Sequence, residues 1–594
     1  SLHCLKKTAR TFGFAENIYE TISELKNSKV KPADLVVMSA TCKQSLALKL
    51  KDICFIYGKY EQFLQEGNMI DACDRFELLT NLIYSSSLVR ASHCYLVGYE
   101  SISPSGMEAI IAIAKTAKSF TAGAVENRNK NNSYIASPEM LNMLEAYAGK
   151  ENLSITEISV KSLAPALAKF IGDNLYAFPQ SKKLVSDDTV VLFEANSAIK
   201  EVEFVAESIR KSVIKRGIRY RDVAVMCPNL AGYSGLFKMV FADYDIPYFL
   251  DAQYPLKEHI FVDFLSLVFT VLRKNYFASD MVSLAKNYFS GIEEAESSAF
   301  ENYTLEYGIN FDKFLKPFAS KKQNAKEDKV APLAEQARVN LCAKLLHLSQ
   351  KLNEAKTVED FVDLVKLIIT EFDVENKMEE LATKLLALKS VTDASIAKQV
   401  LPKTMARLDE IESLLGGCKL EFEEFVSIFM SGLSSIKISL IPLSVDCVFV
   451  GDPSTSKILE VKDLYIIGAT EGAVPLSKDD CGLIVDKELE IMSGSLGKKI
   501  EPTIRTINER ERLKFLMLVC SFTENLCLTY PLLDVNNDEQ KPSGAIKELQ
   551  KLFYKNESKE SIDIRTELWL ERRRGLGKGE KMEESYAYEY ATLK

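Results

Sequence analysis

Histidine is scarce in this chain, basic charge is outweighed by acidic, and several expected motifs are missing. The four histidines (His3, His93, His259 and His347) are too dispersed to suggest a metal site. The 12 cysteines are scattered without any C-x-x-C, and the nearest pair is Cys520 and Cys527. They read as buried cytosolic thiols rather than disulfides or a cluster. No apolar run reaches membrane-spanning length and no signal peptide opens the chain, so no membrane partner is expected. Net charge is −9, whereas a protein that coats DNA is usually basic, so any DNA contact must be local. A phosphate-cradling loop of the form G-x-x-x-x-G-K-[ST] occurs nowhere. The first residue is Ser1 rather than Met, which predicts a processed or partial chain.

What is present suffices for several packed domains. The chain has 594 residues, of which 47% are hydrophobic. Its organising stretch is VDCVFVGDPSTSKILEVKDLYIIGATEGAVP, from Val445 to Pro475. Two short, continuous apolar runs, Val445–Val450 and Leu464–Ile467, suit strands of a parallel sheet covered on both faces. The loop Gly451-Asp452-Pro453-Ser454-Thr455-Ser456 breaks the first strand and supplies turn chemistry. Ligands bind beyond strand ends in open α/β sheets, so these loops are natural functional edges. An ordinary sheet core with ordinary turns is the alternative reading of periodicity alone.

The segment SKILEVKDLYIIGATEGAVP resembles motif V of UvrD-type superfamily 1 helicases, which runs AKGLEF, a strand, G, then EG and FP. Lys457, Leu459, Glu460, Gly468, Glu471, Gly472 and Pro475 fall at matching spacings. The AddB (RexB) subunit of the bacterial ATP-dependent helicase–nuclease is more similar still, with a related loop, strand and G-x-x-x-G-x-x-P run. The resemblance implies an α/β fold: a degenerate superfamily 1 helicase with two RecA-like parallel-sheet domains and large helical insertions.

Residues 1–90 read as helical, and a short strand at Cys94–Val97 follows. A helix over Gly106–Lys118 and a second strand over Phe120–Val125 come next. In a UvrD-type motor the first strand would end in an Asp–Glu pair that holds magnesium and orients water. Here it ends in Gly98-Tyr99 and, although Glu100 is nearby, the acidic pair is missing. Either the phosphate loop was removed with an upstream segment or the protein never had one.

A second α/β block opens at Thr189–Phe193, with Asn196 and Ser197 as candidate helix caps. Val202, Val205, Ala206, Ile209 and Val213 form one apolar helical stripe, which Gly217 ends. A strand at Val223–Met226, a helix over Ser234–Tyr244 and a strand at Pro247–Leu250 complete a crossover pattern that predicts parallel strands. This block also resembles AddB and, more distantly, the second UvrD motor domain. Pro228 stands where the motor's motif IV arginine would reach the nucleotide phosphates, and proline offers neither charge nor donor. The basic cluster Lys211, Lys215, Arg216, Arg219 and Arg221 reads as helix-end decoration rather than a DNA site.

From 271 to 435 the pattern is almost wholly helical, interrupted by the charged loop SKKQNAKEDK. After the organising stretch, Asn508–Val519 reads as a helix and Leu526–Tyr530 as a strand. The motif VI arginine position is occupied by Ser521, which removes the expected finger on the γ-phosphate. The tail carries a helix near Leu549, Trp569 and the run Arg572-Arg573-Arg574. In AddB this region leads into a nuclease domain with an iron–sulphur cluster. Neither a D…E-x-K constellation nor the cluster's Cys spacing follows Cys527 here.

The chain is therefore read in six parts. Residues 1–90 are a helical insertion of the first helicase-like domain, and 91–185 are that domain's end and a linker. Residues 186–270 and 436–535 are the two halves of the second RecA-like domain, separated by a helical insertion at 271–435. Residues 536–594 are a tail leading towards a nuclease domain.

Gly98, Tyr99, Pro228 and Ser521 mark lost ATP chemistry, and no catalytic or metal-binding residue is expected. Asp452, Ser454, Thr455, Ser456, Lys457 and Glu460 are the candidate DNA contacts, since motif V loops meet the DNA backbone through hydroxyls and amides. Capping and turning the chain is their alternative role.

The resemblance implies a cytoplasmic bacterial subunit that processes double-strand DNA breaks for recombinational repair. Its partners would be DNA (single strand or duplex end) and an AddA-type helicase–nuclease subunit. ATP, magnesium and a 4Fe-4S cluster are implied only for the full parent complex. Two alternatives stand: an active ATP-dependent DNA helicase whose P-loop lies upstream, and an interaction scaffold that does not bind DNA.

Overall fold

The short apolar runs become strands where they are buried on both sides; of the predicted run Val445–Val450 only Val448–Val450 does so, and Val445 is exposed. In the computed structural model, Val223–Met226 is buried at all four positions and Val461–Ile466 at its last four. The structure describes residues 2–6, 12–99, 101–124, 139–158, 160, 164–185, 189–274, 276–319, 329–388, 390–439, 445–457, 460–478, 482–497, 500, 502–555 and 560–566. Trp569, Arg572–Arg574 and Glu100 lie outside them, as does most of the loop at 320–329. Two compact units divide the chain: Ser1–Asp251 with Leu443–Lys594, and Ala252–Pro442.

In chain order the strands are β1 (His93–Val97), β2 (Ser119–Gly123), β3 (Lys183–Leu184), β4 (Val190–Ala195), β5 (Val223–Met226), β6 (Tyr248–Asp251), β7 (Tyr254–Pro255), β8 (Lys437–Ile438), β9 (Val448–Gly451), β10 (Val461–Ile466), β11 (Phe522–Pro531), β12 (Phe553–Tyr554) and β13 (Ile564–Thr566). Seven of them form one sheet in the order β13-β4-β11-β10-β5-β9-β6. Every pairing in it is parallel, as the strand–helix–strand pattern predicts.

The helices that cover this sheet follow from their apolar stripes. Helix Ala198–Arg216 buries Val202, Val205, Ala206 and Ile209, and stops at Gly217 in the left-handed conformation (φ +67°). Ser197 occupies the N-cap position but its side chain makes no capping bond there, contrary to expectation. Helix Leu230–Asp243 starts four residues before the predicted Ser234, because Asn229 caps it by accepting from the Gly232 N–H. Helix Ile504–Val519 packs Leu513, Phe515, Leu516 and Val519 beneath the sheet and leads into β11. Burying each such side chain contributes about 1.5–3 kcal/mol. Arg216 does not reach for a ligand: it bridges Asp463, which is fully buried on β10, and Glu524. The helix-end reading of that basic residue is thus given a specific acidic partner.

Ahead of this sheet lie five helices between Phe12 and Ala91, then β1 and β2 as a small parallel sheet. Helix Pro104–Thr116 joins those two strands, capped by Ser103. The unit Ala252–Pro442 is a helical body with its own continuous core, from Leu256 to Ile438, rich in phenylalanine. Phe264, Phe289, Phe300, Phe314, Phe372, Phe425 and Phe429 are all fully buried in it.

Candidate functional site at the strand ends

Because all seven strands run the same way, their carboxyl ends share one edge. Asp251 and Met226 both pair with Gly451, and Ile466 pairs with Met226 and Leu528. The loop after β9, the turn after β5 and the segment after β10 therefore leave from the same side.

The loop after β9 is built by its own side chains. Asp452 accepts the Ser454 N–H at 2.7 Å and the Ser454 hydroxyl at 2.6 Å, while its carbonyl accepts the Thr455 and Ser456 N–H groups. Ser456 is buried and donates to Asp251 at 2.6 Å. Ser454, Thr455 and Lys457 are exposed. Lys457 Nζ donates to the Gly98 carbonyl at 2.8 Å, which joins this loop to the end of β1. Pro228 is half-buried one residue beyond Cys227, whose N–H donates to the Gly451 carbonyl.

So the structure brings together Asp452, Ser454, Thr455, Ser456, Lys457, Pro228 and Gly98, with Tyr99 next in chain and exposed. It does not bring the others there. Glu460 precedes β10 and Ser521 precedes β11, so both stand at the opposite, amino edge. Ser521 offers its carbonyl to the Val461 N–H and turns its hydroxyl back to Leu518 at 2.5 Å.

Against the segment after β10 lies a group that the sequence pattern did not single out, Glu201 on the helix after β4. Glu201 is fully buried and, among the described residues, faces no cation. Its Oε1 accepts the Gly468 N–H at 2.8 Å and the Thr529 hydroxyl at 2.5 Å, and its Oε2 accepts the Tyr233 hydroxyl at 2.6 Å. Burial pushes this carboxyl above the usual carboxylate range, and the three donors pull it back. Burial and the adjoining carboxylate push the Tyr233 phenol up. Gly468 takes φ +63°, a backbone that strongly favours glycine, and this turns its N–H inward. A faint signal existed: Glu201 stands four residues before buried Val205, in line with the apolar stripe, and Thr529 interrupts an apolar strand.

Farther along, Glu471 donates its N–H to the Lys541 carbonyl, and Ala469 is held by the Thr529 carbonyl and the Ser543 N–H. Among the described residues no group of His, Cys, Asp and Glu could hold a metal ion. The eleven described cysteines are free thiols, and no described helix is long and apolar enough to cross a membrane.

The fold and this edge define a helicase-like α/β scaffold: parallel sheets, crossover helices and a helical body between β6 and β9. Comparison with known proteins makes the likeness particular. Residues 1–170 match the family model described as ADDB, N-terminal. The B subunit of the ATP-dependent helicase/deoxyribonuclease of Bacillus cereus (strain G9842) is 26% identical, over 93% of this chain and 50% of that protein. The proteins of the same name from Bacillus thuringiensis (strain Al Hakam) and Bacillus anthracis are 25% identical over the same shares. The resemblance to AddB holds along nearly the whole chain, which spans about half the length of the curated relatives it matches.

Proposed function

We propose that this chain is the helicase-like portion of an AddB-type subunit. In this reading it guides DNA within a complex that processes double-strand breaks for recombinational repair, beside an AddA-type partner in the cytoplasm. The observation that carries the reading is the likeness, along nearly the whole chain, to proteins named as the B subunit of an ATP-dependent helicase/deoxyribonuclease. Loss of ATP chemistry in this portion is supported by Pro228, a residue without charge or donor at the carboxyl edge. ATP, magnesium and an iron–sulphur cluster belong, in this reading, to the parent complex.

The DNA contact is assigned to the turn Ser454-Thr455 with Lys457, which stands exposed beside it. Lysine on a surface loop can exchange a carbonyl for a phosphate oxygen at little cost, and each phosphate contact adds salt dependence. Fluorescence anisotropy with single-stranded and duplex-end DNA across a salt series tests this. Wild type should bind at low salt and weaken steeply as salt rises. The double variant Lys457→Ala, Thr455→Ala should bind about tenfold more weakly, with a salt slope lower by about one. Absence of binding at low salt would favour a scaffold that touches protein alone.

A further inference from the structure

Glu201 is a carboxylate sealed among hydrogen-bond donors with no described cation to match it. An isolated buried charge is costly unless its oxygens are satisfied, and here both oxygens serve as acceptors. The donors come from three different places: Tyr233 on the helix after β5, Gly468 in the segment after β10, and Thr529 on β11. Glu201 itself stands on the helix after β4. One carboxylate thus collects four parts of the strand-end edge. Tyr233 and Thr529 also need a partner when buried, so the dependence runs both ways.

We propose that Tyr233, Gly468 and Thr529 form a closed carboxylate-binding cradle. Glu201 is its built-in occupant and acts as the positioning residue for the segment 468–475. The cradle is specific for a small carboxylate: a planar group with two oxygens meets three donors, two on one oxygen and one on the other. The Gly468 N–H on Glu201 is the hold at the start of segment 468–475; farther along, Ala469 is held by the Thr529 carbonyl and the Ser543 N–H, Thr470 by a bridge to Pro542, Glu471 by the Lys541 carbonyl, and Val474 by the Ser543 hydroxyl. This inference does not require the chain to bind DNA.

Removing the occupant and supplying it again from solution is the test. Glu201→Ala leaves three buried donors facing a space the size of formate or acetate. Melting temperature and amide hydrogen exchange are measured for wild type and variant in sodium formate and in sodium chloride at equal concentration. Formate should raise the variant's Tm by roughly 3 °C or more over chloride and leave wild type unmoved. Exchange across 468–475 should quicken by about tenfold in the variant and slow again with formate.

If Glu201→Ala does not fold, Glu201→Leu keeps most of the volume. It offers no acceptor to the Gly468 N–H, so exchange at 468–475 should quicken with no formate response. Exchange that is unchanged at 468–475 in the variant, or that rises evenly over the whole sheet, would overturn the proposal. DNA binding is read separately by anisotropy: its absence in wild type would sink the DNA reading and leave the formate result standing.

Discussion

His259 stands just before helix Ile260–Arg273, with its Nδ1 accepting the Phe261 N–H at 3.2 Å. The ring is buried, and burial lowers its pKa from the ordinary 6.5 to about 4. The native chain therefore keeps it neutral where the unfolded chain takes up a proton. Stability from this residue is intact above pH 6.5, is lost as pH falls from 6.5 towards 4, and levels off below. The loss is at most about 3 kcal/mol. Urea unfolding at a series of pH values should show this slope, and His259→Asn, which can still accept the Phe261 N–H, should flatten it. Equal slopes for the two proteins would refute the assignment. Neither this histidine nor Glu201 was legible as a partner from sequence. The four histidines are too dispersed in the chain to point to a site, and the donors that meet Glu201 come from distant parts of the sequence.

At the scale of elements, legibility followed burial. The strands Val223–Met226 and Val461–Ile466 are continuous apolar runs, and the helix stripe at Val202–Ile209 has the helical period. Their ends were harder to read, because ends depend on single hydrogen bonds. Asn229 advances one helix start, while Ser197 leaves its cap unmade. Helix Val358–Glu371 offers the contrast: Thr357 accepts the Asp360 N–H at 3.3 Å, and Asp360 accepts the Thr357 N–H at 2.9 Å. Thr357→Ala should therefore cost about 1 kcal/mol, whereas Ser197→Ala should stay within about 0.3 kcal/mol. Denaturant midpoints compare them directly, and equal losses would mean that the two caps do not differ as described.

For the whole molecule, the order of blocks was readable because each block has its own periodicity, while the closure of the sheet was not. A sequence shows that strands exist but not that β13, near the end of the described residues, pairs beside β4. The two compact units each hold their own core, so calorimetry should resolve two transitions, and acidification from pH 6.5 to about 4 should lower chiefly the one belonging to Ala252–Pro442, which contains His259. A single symmetric transition at every pH would show one cooperative body instead. The pairing of β6 with β9 carries a kinetic consequence. Asp251 meets Gly451 in register although all of 252–442 lies between them in the chain. As a flexible loop, that length would make edge closure a late and entropically expensive event. A helical body that condenses first by its local contacts turns the same length into a short tether. The edge of the sheet is then completed at a speed governed by helix packing, and a mutation deep in the helical core would delay a strand it never touches.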